Sequence, residues 1–315
     1  MEYRTLGNSG LQVSAVGLGC NNFGMRIDAD ATKAVVDKAV ELGINFFDTA
    51  DVYGGRGKSE EFLGQAMKPH RRNIIVATKF RTPMGEGPLW GGGSRKYIFD
   101  AVDASLKRLD TDYIDLYQMH FPDAQTPIEE TMRALDDVVK SGRVRYVGCS
   151  NYTGWMVVEA QWVARSEHLT PFISAQNQYN LLDRRIERDL GQVAEKYCVG
   201  VLPYFPLASG FLTGKYRPGE AAPEGTRLAA MGDRAKGTLN DQNFAVLTAL
   251  EDFAQQRGHT MLELAIGWLA SHGWVSSVIA GATQPEQVEQ NVQAGAWKLT
   301  AEEMAEVDRI TRRPE

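Results

Sequence analysis

Several functional classes are excluded by what this chain lacks. Its three cysteines, Cys20, Cys149 and Cys198, are an odd, scattered set with no CxxC pair and no histidine at metal-ligand spacing, so they read as reduced, packed thiols. Its five histidines, at 70, 120, 168, 259 and 272, form no HxH or HExxH. A metal-dependent hydrolase has no support, and no metal is expected. Lys and Arg number 34 against 40 Asp and Glu, a net charge of -6, so there is no basic footprint for nucleic acid or anionic lipid. No apolar run approaches a membrane span, and MEYRTLGNSG has neither a basic n-region nor an apolar h-region, so a soluble cytoplasmic chain is expected.

Two phosphate-binding signatures also fail. GLGCNNFG lacks the third glycine of GxGxxG, and GGRGKSE has Val52 where GxxxxGK[ST] needs glycine. The latter stretch reads better as a turn followed by a helix start.

What is present is ordinary globular composition, 43% hydrophobic and 23% charged, arranged in strict alternation. After a hairpin-like opening with its turn at Asn8 to Gly10, short apolar runs occupy 15–19, 44–50, 74–79, 113–120, 144–150, 172–180, 199–204 and 276–282. Amphipathic helical patterns separate them, among them 31–42, 94–109, 127–142 and 184–197. Eight buried strands alternating with helices predict parallel strands joined by right-handed crossovers, an α/β fold closed as a (β/α)8 TIM barrel. The expectation is a single domain over 1–315, with an N-terminal β-hairpin. The stretches MLELAIGWLASHG and AEEMAEVDRITR are expected as extra helices. The competing open doubly wound sheet would want the missing glycine fingerprint. Two Gly/Pro-rich segments, 81–93 and 214–240, follow the third and seventh strands and are expected at the C-terminal mouth as lids or substrate loops.

Polar residues that close barrel strands point toward that mouth. Here they are Asp48, Lys79 and His120, with Tyr53 on the loop after Asp48. Each type alone has an ordinary explanation: a cap, a solvated cation, a structural ring or half-buried packing. Together they make a proton donor. A phenol ionises near pH 10, an adjacent ammonium is expected to lower that value, an aspartate holds the ammonium charged and oriented, and a histidine positions a carbonyl. An aldolase-type Schiff base on Lys79 would need a depressed lysine, which the carboxylate opposes.

In their contexts, GINFFDTADVYGGRGKSEEFLG, IIVATK and DYIDLYQMHFPD, these four residues resemble the aldo-keto reductase superfamily along almost the whole chain, including its potassium-channel β-subunit branch. The resemblance implies an oxidoreductase that reduces an aldehyde or ketone with NAD(P)H, with Asp48, Tyr53, Lys79 and His120 as a catalytic tetrad. It implies that Ser150, Asn151 and Gln176 bind the carboxamide and that Tyr204 stacks on the nicotinamide. Pro206, Leu207, Ser209, Gly210, Leu212 and Lys215 would wrap the pyrophosphate. Gly19, Cys20, Phe205, Gly281, Thr283 and Gln287 complete the implied cofactor set, with Gln290 and Asn291 toward the adenine. NADPH is the cofactor that the family tendency implies. Yet Gly281, Ala282, Thr283, Gln284 and Gln287 carry no charge for a 2'-phosphate, which leaves NADH open. Substrate contacts are expected from Asn21, Asn22, Phe23, Trp90, Phe121 and Tyr152. The implied partner is a small carbonyl or alcohol, with no nucleic acid and no membrane, and nothing in the chain indicates an oligomeric state. The alternative is a cofactor-binding, redox-sensing regulatory subunit with little turnover.

Overall fold

The structure, a computed structural model, describes residues 1–312. Its first strands, β1 (Tyr3–Thr5) and β2 (Gln12–Ser14), pair antiparallel. The remaining strands are β3 (Val16–Gly19), β4 (Phe46–Asp48), β5 (Ile75–Phe80), β6 (Ile114–Met119), β7 (Val144–Ser150), β8 (Phe172–Gln178), β9 (Gly200–Tyr204) and β10 (Val278–Gly281). They form one parallel sheet in the order β10, β3, β4, β5, β6, β7, β8, β9. The ring is completed at Val201, which bridges Val275 in parallel: its N–H donates to the Trp274 carbonyl at 2.9 Å, and its own carbonyl accepts from the Ser276 N–H at 2.9 Å. All eight expected strands are present, and the fold is the (β/α)8 barrel with its hairpin.

Helices follow the strands: α1 (Ala29–Glu41), α2 (Tyr53–Met67), α3 (Arg95–Leu109), α4 (Ile128–Lys140), α5 (Gly154–Glu167), α6 (Leu190–Tyr197), α7 (Arg227–Ala230), α8 (Asp241–Gln255), α9 (Met261–Ala270), α10 (Pro285–Ala294) and α11 (Ala301–Thr311). The opening of α2 is not helical: Gly54, Gly55, Arg56 and Gly57 all have positive φ, which is the turn that GGRG predicts. The pattern over 184–197 is broken in two, a 3-10 turn (Arg185–Arg188) and then α6. At the break, the Asp189 carboxylate accepts from the Leu190 amide and, at 2.8 Å, from the Gly154 amide that starts α5; an aspartate that caps backbone favours an end over a helix interior. The stretch MLELAIGWLASHG is not an extra helix. As α9 it packs on β10 and α10 and buries Met261 and Leu264 to Ala270, so it is the barrel's seventh helix, while α8 and α11 pack outside it.

Strand alternation sorts the core in two. Outward-facing residues such as Phe47, Val76, Tyr117 and Val147 pack under the helices. Inward-facing Phe46, Ala77, Leu116, Leu202 and Ile279 fill the lower barrel, where they meet Leu6 and Val13 of the hairpin. The hairpin therefore plugs the N-terminal end. Gly7 makes this possible: at φ +54, a Cβ there would lie 2.1 Å from the Ile173 carbonyl oxygen.

Leu6 is fully buried in that plug. Leu6→Ala is expected to lower unfolding free energy by about 2–5 kcal/mol, the range for a buried leucine that leaves a cavity; urea unfolding checks it.

Candidate active site

Moving up from the apolar layer, the same strand faces change chemistry. Phe46 is followed two residues later by Asp48, Ala77 by Lys79, Leu116 by Gln118 and then His120, and Leu202 by Tyr204. The upper barrel is thereby a polar layer laid on an apolar one. Asp48 and Lys79 are 3% and 0% exposed, and buried ions require complete hydrogen bonding. They have it. Lys79 Nζ donates to Asp48 Oδ2 at 2.7 Å and to the Thr49 carbonyl at 2.8 Å. Its remaining interaction is with the Tyr53 hydroxyl, and the ammonium lies 5.0 Å from that ring's centroid. Asp48 Oδ1 accepts from Gln176 Nε2 at 2.8 Å and Gln118 Nε2 at 3.2 Å. Burial opposes the lysine charge, but Asp48 and Tyr53 outweigh it and hold the ammonium above its ordinary value.

The phenol behaves differently from the expectation. Burial pushes Tyr53 up, Lys79 pulls it down and Asp48 pushes it up again; the net shift is upward. Lys79 thus offsets desolvation without overcoming it. His120 meets Tyr53 edge-on, with ring centroids 5.7 Å apart, and stacks on Phe121 at 4.8 Å. Burial, then Lys79 and Arg81, lower its pKa to about 3, so the imidazole is neutral throughout the physiological range.

Tyr53 and His120 open into a cleft of 790 Å³ at the C-terminal mouth. Most of the expected cofactor residues line it: Gly19, Cys20, Ser150, Asn151, Gln176, Tyr204, Phe205, Pro206, Leu207, Ser209, Gly210, Lys215, Gly281, Thr283, Gln287, Gln290 and Asn291. Asn151, at φ +62, links the walls by accepting from the Tyr204 hydroxyl at 2.7 Å and donating to the His120 carbonyl at 2.9 Å. Phe205, Ala208 and Ser209 also hold positive φ, a concentration of strained non-glycine backbone of the kind found at ligand clamps. Leu212 does not line the cleft. It is fully buried in the hydrophobic core beside Phe211.

Of the expected substrate residues, Asn21, Asn22 and Phe121 line the cleft, and Phe23, Trp90 and Tyr152 do not. The Phe23 ring lies in the outer core. Tyr152 is buried edge-on to Phe172 and donates to Met119 Sδ. Trp90 is exposed and folds over Gly85 of its own loop, so segment 81–93 contributes no lid to this cleft. Segment 214–240 does contribute, through Lys215 and residues 224–227.

Among the contributors that escaped the sequence reading are Gln118, Arg26 and Arg227. Gln118 sits inside an apolar strand run, and its signal was its parity with His120. Arg26, from the loop after β3, and Arg227, from α7, are far apart in sequence. Arg227 Nη2 donates to Asn22 Oδ1 at 3.4 Å, with its guanidinium 5.5 Å from the Phe205 ring centroid, while Arg26 donates to the Gly225 carbonyl at 3.0 Å.

Comparison with known proteins agrees with this fold. Residues 15–312 match the model of the aldo/keto reductase family. The chain is 38% identical over 320 residues to an L-glyceraldehyde 3-phosphate reductase of Escherichia coli O157:H7, covering 98% of this chain and 92% of that protein. It is 39% identical over 301 residues to a probable voltage-gated potassium channel subunit beta of Oryza sativa subsp. japonica, covering 93% and 91% respectively. A putative subunit of the same kind from Schizosaccharomyces pombe is 36% identical over 325 residues, covering 98% and 93%.

Two buried histidines give stability a pH dependence. Burial lowers His120 to about 3 and His272 to about 4. Below the ordinary value the unfolded chain binds protons at both rings and the folded chain does not, so stability falls as pH falls from about 6.5 toward those values. Each ring is expected to remove about 2 kcal/mol by pH 5, read by urea unfolding of wild type against His272→Gln, which should lose its share of the slope.

Proposed function

The chain belongs to the aldo/keto reductase family, which supports an oxidoreductase working with NAD(P)H, and from that premise we propose that it reduces a small aldehyde or ketone with Tyr53 as the proton donor. The observation that carries this reading is the buried Lys79–Asp48 pair beneath the Tyr53 hydroxyl, at the floor of the 790 Å³ cleft. The donor set fits such a ligand. Ser150, Asn151 and Gln176 offer hydroxyl and amide groups beside the tetrad, Tyr204 offers an aromatic face, and Lys215, Arg26 and Arg227 supply cations for phosphates.

When bound, the nicotinamide supplies hydride to the carbonyl carbon. Neutral His120 orients the carbonyl oxygen, and Tyr53 gives its proton to the developing alkoxide while Lys79 stabilises the phenolate left behind. Asp48 keeps Lys79 charged, and Gln118 and Gln176 keep Asp48 in place. In the reverse direction Tyr53 is the base. NADPH is the proposed cofactor: the cation absent from 281–291 is supplied by Arg227 and Arg26, which line the same cleft as Thr283 and Gln287. Phosphorylated aldehydes belong among the substrates to be tried, since the Escherichia coli relative is an L-glyceraldehyde 3-phosphate reductase. The names of the plant and yeast relatives favour a second reading, a regulatory subunit that retains cofactor without turnover.

Oxidation of NADPH with an activated aromatic aldehyde tests both readings. Tyr53→Phe is expected to lose at least about a hundredfold in kcat while remaining folded by circular dichroism; cofactor binding by wild type without turnover would favour the second. Arg227→Ala is expected to raise the KM for NADPH about tenfold or more and to leave that for NADH nearly unchanged.

A further inference from the structure

Between Asp48 and Tyr53 lies a carboxyl group that the proposed chemistry does not use. Asp51 is 1% exposed, and no hydrogen-bond donor among the described residues engages either of its oxygens. The neighbouring Val52 amide favours the ionised form slightly without lining up into a hydrogen bond. Against Asp51 stands a second buried carboxyl, Glu60 of α2, which is fully buried and holds the local donors: Arg108 Nε of α3 at 2.6 Å and Thr78 Oγ1 of β5 at 2.5 Å. The other polar groups facing Asp51 are the hydroxyls of Tyr97 on α3 and Tyr117 on β6, with Lys79 on β5. Two carboxyls thus compete for one guanidinium, and Glu60 has it.

We propose that Asp51 is a neutral carboxylic acid built into the loop before Tyr53, one that leaves the Arg108 guanidinium to Glu60. Burial and the Glu60 charge both favour the protonated form, against weaker opposition from Arg108 and Lys79. Were it ionised, Asp51 would compete with Glu60 for Arg108. The loop is attached to β5, since the Asp51 N–H donates to the Lys79 carbonyl at 3.1 Å. This assignment goes beyond the reductase reading and does not depend on it.

A neutral buried acid has a signature opposite to that of the buried histidines His120 and His272. The unfolded chain releases the Asp51 proton above pH about 3.9 and the folded chain keeps it, so the native state is favoured less as pH rises. Asp51→Asn removes that linkage while mimicking the protonated side chain. The unfolding constant of wild type divided by that of Asp51→Asn is expected to rise about tenfold per pH unit between pH 5 and 7, measured by urea unfolding. A ratio that does not change with pH would mean an ionised Asp51 and would overturn the proposal. Infrared spectroscopy of wild type labelled with carbon-13 at the aspartate carboxyls is independent of whether the variant folds. A protonated-acid carbonyl band that shifts with the label and persists at pH 7 is expected, and its absence would also overturn the assignment.

Discussion

A lysine and an aspartate held together out of water are the constraint around which the mouth of this barrel is arranged. The Lys79 and Asp48 side chains, 0% and 4% exposed, lose their hydration, and their mutual attraction repays this only if every remaining proton and lone pair is engaged. That requirement recruits Gln118 from β6, Gln176 from β8 and the Thr49 carbonyl from the loop after β4. The network spans four strands and leaves the ammonium one outward direction, toward Tyr53. Removing either charged partner would strand the other, so the arrangement is a structural commitment as well as the base of the proposed proton donor.

The backbone of the site was legible because strands have a period of two. A residue type that is expensive to bury, placed at the end of an apolar run, has few destinations in a barrel other than the mouth. Asp48, Lys79 and His120 could be found this way, and Tyr53 by its distance from Asp48. Gln118 obeys the same parity but stands inside the run, where an amide looks like a tolerated interruption. Phe23, Tyr152 and Leu212 show the complementary failure. They sit close in sequence to true cleft residues, but in turns without strand parity their side chains swing into the core. The position of α9 was misread because a helix buried on nearly every face carries little amphipathic pattern to tie it to its strand.

The electrostatics were least legible. That a phenol beside an ammonium should be acidified is sound pairwise reasoning, yet it omits the water that the site excludes, and for Tyr53 burial is the larger effect. Arg26 and Arg227 were invisible for a topological reason. They come from the loop after β3 and from α7, and meet over Asn22, Phe205 and Gly225. The long 214–240 segment read as a lid or substrate loop, and its folded form also brings charge to a cleft whose far wall has only amides and a hydroxyl.

The hairpin plug ties distant segments of the chain together in time as well as in space. Leu6 and Val13 are synthesised before all the strands that cover them, the latest of which supply Ile173, Leu202 and Ile279. Arg4 likewise donates to the Val275 carbonyl at 3.0 Å. Phe46, Ala77 and Leu116 give partial cover earlier, but a ribosome must leave the plug incompletely covered until β10 emerges. Closure of the barrel floor is a late event, and a chain truncated before β10 would carry an exposed apolar hairpin, a mark by which quality control could distinguish unfinished copies from complete ones.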